Sequence, residues 1–100
     1  MRILIYGAGV IGSINAFYLS RSGYEVAVLA RGHRLEELRH KGLLYWNGKA
    51  IQKADVQILE RLESDDRYDD IFLTVRAGEL HQAREQLKDN VSPTIVRVFV

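Results

Sequence analysis

The chain has 100 residues, which is enough for one domain with one core, and its 47% hydrophobic and 27% charged residues fit an ordinary soluble globular protein. A net charge of +1 argues against nucleic-acid or membrane-surface binding, and no apolar run approaches the roughly 20 residues of a membrane span. The absence of cysteine excludes disulfides, cysteine nucleophiles and thiolate metal sites. Because Met1 leads directly into an apolar run with no export signal, we expect a cytoplasmic protein.

The first predicted elements are a strand, a glycine-rich turn, a helix and a second strand. Residues 3–5 form a continuous apolar run that is typical of a buried parallel strand. A helix should begin near Val10 and end before Gly23, and residues 26–30 should form the second buried strand. Apolar residues recur along this helix at helical spacing, which predicts a buried face made of Val10, Ile11, Ile14, Phe17, Tyr18 and Leu19.

The middle of the chain predicts a short helix and a hairpin. Residues 35–41 place Leu35 and Leu38 on one face before Gly42 stops the helix. Residues 43–46 and 49–52 flank Asn47-Gly48, a dipeptide that tolerates the positive φ angles of a two-residue hairpin turn. Residues 56–59 could add a short strand, and the acidic stretch 60–70 reads as a solvated connection.

The last part of the chain returns to the alternation of strand and helix. Residues 71–75 predict a buried strand, and residues 79–88 a helix with Leu80, Ala83 and Leu87 on one face. Pro93 marks a break before a final strand over 94–100. Because this apolar strand runs to Val100 with no following turn, we expect the chain to be the front piece of a longer protein.

Alternating strands and helices predict an α/β fold: a Rossmann-type, doubly wound, mostly parallel sheet with strand order 3-2-1-4-5. A full sheet of this type has six strands, so the fold is expected to be incomplete at the C-terminus. Residues 1–100 are therefore predicted to form a single nucleotide-binding domain.

The sequence Gly7-Ala8-Gly9-Val10-Ile11-Gly12 fits the dinucleotide-binding pattern G-x-G-x-x-G. Gly7 permits the tight turn, Gly9 lets the backbone approach a pyrophosphate, and Gly12 permits close packing of the helix on the strand. The motif follows a strand, opens a helix and is completed by a second strand, which is the context that this fingerprint requires. The alternative is a glycine-rich turn in an unrelated α/β fold.

The residue after the second strand decides between NAD and NADP, because a carboxylate there would bind a ribose 2′-OH and repel a 2′-phosphate. The sequence has no acid at this point and instead places Arg31 there, with Gly32 giving access and Arg34 nearby. Arginine binds phosphate through paired, charge-assisted hydrogen bonds, so the sequence favours NADP(H). The alternative is a solvated arginine at the start of a helix.

Other candidate groups suggest no second site. His33, His40 and His81 lack metal-ligand spacing, and the acidic residues between 63 and 70 lack the pattern of a calcium loop, so no metal site is predicted. Tyr45 and Trp46, beside the hairpin turn, are expected either to pack or to contact a further domain.

The run from Met1 to Gly42, with GAGVIG followed by VAVLARGHRLEELRHKGL, resembles the N-terminal domain of the ketopantoate reductase (2-dehydropantoate 2-reductase) family. The segment from Asp70 to Ala77, DIFLTVRA, resembles the end of the family's fourth strand, where Val-Lys-Ala is usual. The resemblance implies NADPH-dependent reduction of a 2-keto acid, ketopantoate to pantoate, in pantothenate biosynthesis. It assigns pyrophosphate binding to the glycines, the 2′-phosphate to Arg31 and a further cofactor contact to Arg76.

Two residues depart from the family pattern: Arg76 replaces a lysine, and Glu79 stands where many members have glutamine, which adds a charge beside the cofactor edge. The resemblance places the catalytic lysine and the substrate-binding residues in a helical C-terminal domain beyond Val100, so no catalytic residue is assigned within the chain. The 100-residue piece is accordingly expected to bind NADPH weakly and to turn over no substrate. A homodimer of the longer protein is left open.

Two other functions remain open from the sequence. Rossmann units also serve as NAD(P)-sensing regulatory modules without catalysis, because a fold does not fix a function. Another NADP-dependent hydroxy-acid dehydrogenase would differ only in its substrate.

Overall fold

The computed structural model describes residues 2–46, 48–63, 65–87 and 95–98, the last of these for the backbone alone. In chain order the elements are β1 (Arg2–Tyr6), α1 (Val10–Arg21), β2 (Glu25–Leu29), α2 (Gly32–Lys41), β3 (Leu44–Trp46), β4 (Ile51–Lys53), β5 (Gln57–Leu59), β6 (Asp70–Leu73), a 3₁₀ turn (Ala77–Glu79), α3 (Leu80–Leu87) and β7 (Ile95–Val98). The expectations for Asn47, Lys88, Pro93, Thr94 and residues 99–100 lie outside the described residues.

Five of these strands form one parallel sheet in the spatial order β5-β2-β1-β6-β7. Counted among the strands of this sheet alone, the order is 3-2-1-4-5, which confirms the prediction. The two remaining strands, β3 and β4, pair with each other as a separate antiparallel hairpin. The fold is therefore the predicted Rossmann-type α/β sheet with a hairpin inserted before the third parallel strand.

The core is split into two layers by the sheet, because successive residues of a strand face opposite sides. Ile3 and Ile5 of β1 face α1 and α2 and share a buried cluster with Phe17 of α1, whereas Leu4 faces α3. As predicted, α2 buries Leu35 and Leu38, and α3 buries Ala83 and Leu87. Both faces of β1 are thus covered, which explains its uninterrupted apolar sequence.

The buried face of α1 differs from the prediction. Its fully buried residues are Gly12, Ala16 and Phe17, while the large apolar side chains of Val10, Ile11, Ile14 and Tyr18 are exposed. The reason is the close approach of α1 to the strands at Gly12, which leaves room only for small residues on most of the inner face. Apolar spacing alone could not distinguish the two faces, since both carry apolar residues.

The hairpin is confirmed, but its turn is longer than predicted. Trp46 pairs with Ile51, so residues 47–50 connect the strands in place of a two-residue turn. This register sets Tyr45 opposite Gln52, and both face α1: the Tyr45 ring stacks on Phe17 with a centroid distance of 4.0 Å, and Gln52 accepts a hydrogen bond from Arg21. Trp46, by contrast, is exposed.

The acidic stretch before β6 is not wholly a solvated connection. Asp69 accepts a hydrogen bond of 2.7 Å from the backbone N–H of Arg2, and its own N–H donates to the Arg2 carbonyl oxygen. Asp70 is the first residue of β6 and is buried. These residues join the start of β1 to the start of β6, so part of this acidic run is structural.

Candidate functional site

A cleft of about 540 Å³ opens at the carboxyl ends of the parallel strands. This edge, where the strand order reverses direction on either side of β1, is the usual ligand site of open α/β sheets. The cleft is lined by residues at or after the carboxyl ends of β1, β2, β5 and β6 and by part of α3: Tyr6, Gly7, Ala8, Gly9, Leu29, Ala30, Arg31, Arg34, Glu60, Thr74, Val75, Arg76, Glu79 and Gln86. Predicted site residues from three separate segments therefore meet in one place.

The floor of the cleft is a tight contact between Gly7, Gly12 and Thr74. Gly7 has a φ of +112°, and a Cβ on it would lie 2.6 Å from the Thr74 carbonyl oxygen. A Cβ on Gly12 would lie 2.1 Å from the Gly7 carbonyl oxygen, which also accepts a hydrogen bond of 2.9 Å from the Thr74 hydroxyl. Gly7 and Gly12 thus let the turn, the helix and β6 meet without side chains between them.

Gly9 serves a different purpose from the other two glycines. It is the residue that caps the N-terminus of α1, and a Cβ built on it would meet no atom within 4 Å. The first helical hydrogen bond runs from the Ser13 N–H to the Gly9 carbonyl oxygen, so the N–H groups at Val10, Ile11 and Gly12 have no acceptor within the helix. Open space beside amides that have no helical acceptor, together with a positive helix end, is the geometry that suits a pyrophosphate.

Val10 and Ile11 contribute to this site only through their backbone. Their side chains are 77% and 50% exposed and do not line the cleft. Ala8, in contrast, is buried and lines the cleft wall. The motif therefore presents backbone groups to a bound anion, and the side chains of Val10 and Ile11 lie outside the cleft.

Arg31 follows β2 and caps the N-terminus of α2. Its side chain is 68% exposed, and its guanidinium forms an ion pair of 3.1 Å with Glu79 on the opposite wall of the cleft. The resemblance placed both the Arg31 cation and the Glu79 charge at the cofactor site, but it did not predict that the two side chains pair with each other.

Arg34 holds the glycine-rich turn from the side. Its Nε donates to the Ala8 carbonyl oxygen over 2.9 Å, and another guanidinium nitrogen donates to the Ser13 hydroxyl over 3.0 Å. Glu37, one turn further along α2, accepts a hydrogen bond from the same guanidinium. Arg34 is therefore already engaged by the turn, in contrast to the exposed Arg31.

Arg76 lies after β6 and lines the wall of the cleft that Glu79 also forms. Its side chain is exposed, and its carbonyl oxygen accepts a hydrogen bond of 2.8 Å from the Glu79 N–H, which begins the 3₁₀ turn. The structure thus brings the two predicted cations, Arg31 and Arg76, to the same cleft from different strands.

Tyr6 lies inside the cleft between the two walls. Its hydroxyl donates a hydrogen bond to the Gln86 side-chain oxygen. Burial raises the pKa of Tyr6 above its ordinary value of 10.0, while the Arg31 charge lowers the pKa and the Glu79 charge raises it again. The Tyr6 hydroxyl is therefore protonated at neutral pH, and its pKa responds to the charges of both Arg31 and Glu79.

Sequence reasoning missed Tyr6, Glu60 and Thr74 as site residues. Each lies at or just after the carboxyl end of a strand of the parallel sheet. The rule that ligands bind at this edge could have identified them once the strands were assigned.

Within the described parts of the chain, no group of three or more histidine, cysteine or acidic residues could hold a metal ion. His33, His40 and His81 are all exposed. No helix in these parts of the chain is both long and apolar enough to cross a membrane.

The sequence profile of the family described as ketopantoate reductase PanE/ApbA matches residues 3–100, nearly the whole chain. The chain belongs to the ketopantoate reductase family. The family resemblance and the Rossmann-type fold predicted from the sequence are both confirmed.

One of two similar proteins carries the name of this family. A 2-dehydropantoate 2-reductase of Archaeoglobus fulgidus is 31% identical over 88 residues, which cover 88% of this chain and 28% of the relative. A D-amino acid dehydrogenase of Xanthobacter autotrophicus is 58% identical, but over only 31 residues, or 31% of this chain and 7% of that protein.

Solved structures agree as well. A protein assigned as a ketopantoate reductase in Ralstonia solanacearum matches with a TM-score of 0.86 and 28% identity, covering 97% of this chain and 30% of that one. A ternary structure of D-mandelate dehydrogenase with NADH and anilino(oxo)acetate matches with a TM-score of 0.88 and 28% identity, covering 99% of this chain and 33% of that one. The chain thus spans about a third or less of the length of these oxidoreductases.

Proposed function

We propose that this chain is the cofactor-binding part of an oxidoreductase that uses NADPH to reduce a 2-keto acid, ketopantoate to pantoate. The observation that supports this most is the open space above Gly9 at the start of α1. Near this space, the end of β2 is followed by an arginine, Arg31, where an NAD-binding site would have an acid. The oxidoreductase relatives favour catalysis by the longer protein over a purely sensing role.

The pyrophosphate would lie over the turn between β1 and α1. Backbone N–H groups at the start of α1 would donate to its oxygens, and the positive end of the helix would stabilise its charge. Gly9 allows this approach because any side chain there would enter the space that the phosphates need.

The 2′-phosphate would bind at Arg31. The guanidinium is exposed at the mouth of the cleft and can offer paired donors to a phosphate, whereas Arg34 is held by Ala8 and Ser13. Arg76 would add a second positive charge from the wall beyond β6. In this proposal the cofactor-binding residues are the six of the glycine-rich motif together with these two arginines, Arg31 and Arg76.

When bound, the nicotinamide cofactor supplies the hydride for the carbonyl carbon of the keto acid. The carbonyl oxygen must also receive a proton, and the family resemblance places its donor, a lysine, in a helical domain outside this chain. We therefore propose that the proton donor and the substrate-binding groups come from a further domain, and that residues 1–100 alone bind NADPH weakly without turnover.

A second candidate substrate is an aryl 2-keto acid. The likeness to a D-mandelate dehydrogenase, with a TM-score of 0.88, favours this alternative within the same reaction class. The cofactor cleft does not distinguish the two, because the keto acid would be selected elsewhere in the protein.

The test is a substrate screen with the full-length protein, following the loss of NADPH absorbance. Ketopantoate and benzoylformate should be compared at equal concentrations, with NADH as the alternative reductant. The proposal expects the highest kcat/KM for ketopantoate with NADPH. Higher kcat/KM for benzoylformate would establish the second candidate, and no keto-acid-dependent oxidation of either cofactor would refute the reductase function.

A further inference from the structure

Arg31 and Glu79 join the two walls of the cleft at its mouth. Arg31 follows β2, Glu79 ends the 3₁₀ turn after β6, and β1 lies between these strands. Their charged groups are 3.1 Å apart, with side chains that are 68% and 40% exposed. The proposed 2′-phosphate anchor is therefore already paired with a carboxylate in the absence of ligand.

The backbone of Glu79 is held in place by its surroundings. The Glu79 N–H is fixed by its hydrogen bond to the Arg76 carbonyl oxygen, and both Glu79 and Arg31 act electrostatically on the Tyr6 hydroxyl beneath them. Glu79 and Arg31 also line a smaller depression together with Tyr6 and Ala83. The pair is thus part of the cleft and is not an isolated surface contact.

We propose that Glu79 is a specificity-determining residue: its carboxylate reduces the factor by which this site prefers NADP(H) to NAD(H). A 2′-phosphate must displace the carboxylate from Arg31 or bind beside it against like-charge repulsion. A ribose 2′-OH, by contrast, can donate a hydrogen bond to that carboxylate, which is the interaction that an acid after β2 provides in NAD-binding sites. In this chain the carboxylate beside Arg31 comes from Glu79, after β6, and not from a residue at the end of β2.

This inference rests on the proposed position of the 2′-phosphate at Arg31. The two ideas can be separated with two adenosine nucleotides that differ only at the ribose. 2′,5′-ADP has the 2′-phosphate and 5′-AMP has the 2′-OH, and neither has the nicotinamide half. The ratio of their dissociation constants isolates the contribution of the 2′ group.

The experiment measures both dissociation constants by calorimetry in the full-length protein at low salt, for the wild type, Glu79→Gln and the control Glu36→Gln. Glu36 is an exposed residue of α2 that pairs with Arg39 and His40 outside the cleft, so its substitution removes the same charge without touching the site. Glu79→Gln should raise the preference for 2′,5′-ADP over 5′-AMP by about fivefold, the upper range for an exposed ion pair, and Glu36→Gln should leave it unchanged.

Three outcomes would count against these ideas in different ways. If Glu79→Gln changes the ratio by less than about twofold while the wild type still prefers 2′,5′-ADP, the proposed role of Glu79 is refuted. The proposed NADP site at Arg31 is then retained. If Glu36→Gln raises the ratio as much as Glu79→Gln, the effect is one of overall charge and the inference also fails. If no variant prefers 2′,5′-ADP, the proposed NADP site itself is refuted.

Discussion

The Nε of Arg34 donates a hydrogen bond of 2.9 Å to the carbonyl oxygen of Ala8, which fixes the middle of the glycine-rich turn to the first turn of α2. The same guanidinium reaches the Ser13 hydroxyl, which in turn donates to the Ala8 carbonyl oxygen over 3.2 Å. Arg34 therefore acts on the cofactor site by holding its backbone in position.

Replacing Arg34 with alanine should weaken NADPH binding by roughly fivefold to tenfold, because the turn loses a hydrogen bond worth about 1–1.5 kcal/mol that pre-positions its amides. The loss should be similar for NADH, since the turn contacts the part that both cofactors share. Fluorescence titration of the full-length protein measures both affinities. Arg61→Ala, which removes an exposed arginine outside the cleft, is the control and should change neither affinity.

Gly9 and Gly12 should give opposite results when each is replaced with alanine. Gly12→Ala places a Cβ 2.1 Å from the Gly7 carbonyl oxygen and should lower the free energy of unfolding by about 1–3 kcal/mol or more. Gly9→Ala meets no atom and should change the free energy of unfolding by less than about 0.5 kcal/mol, yet lower NADPH affinity by at least roughly tenfold. Urea denaturation and cofactor titration separate the two effects. A stable Gly12→Ala variant would contradict the packing described here.

Tyr6 should make the protein sensitive to alkaline pH. Burial raises the pKa of Tyr6 in the folded state, so the unfolded chain loses this proton first as the pH rises. The stabilising contribution is complete below the ordinary value of 10.0 and is lost as the pH rises through the pKa of the folded state. In Tyr6→Phe the free energy of unfolding should therefore decrease less steeply with pH above 10.0 than in the wild type.

Urea denaturation at a series of pH values on both sides of 10.0 measures this slope. Tyr24→Phe, at an exposed position, is the control and should keep the wild-type slope. Part of the slope should remain in Tyr6→Phe, because burial also raises the pKa of Tyr68. An unchanged slope in Tyr6→Phe would show that this hydroxyl does not contribute.

The order of the parallel strands and the position of the glycine-rich turn were predictable because they depend on local patterns. Continuous apolar runs mark strands that are covered on both faces, and right-handed crossovers then restrict the order in which the strands pair. The choice of which face of α1 is buried depended instead on how closely Gly12 lets the helix approach β6. That distance is a property of the assembled fold.

The partners of charged side chains were not predictable for a related reason. The resemblance placed Arg31 and Glu79 at the cofactor site separately, but the two residues are 48 positions apart and pair only because two strand ends converge. Asp69 was assigned to a solvated connection, yet it bonds to the backbone at the start of β1. Long-range pairing of this kind has no signal in local sequence.

The substitution Arg31→Ala tests the proposed cofactor site most directly. Dissociation constants for NADPH and NADH should be measured in the full-length protein and in this variant, with Arg61→Ala as the charge-matched control. If the 2′-phosphate binds at Arg31, the affinity for NADPH should fall by roughly tenfold or more and the affinity for NADH should hardly change. Equal losses for the two cofactors, or no loss for either, would contradict the account.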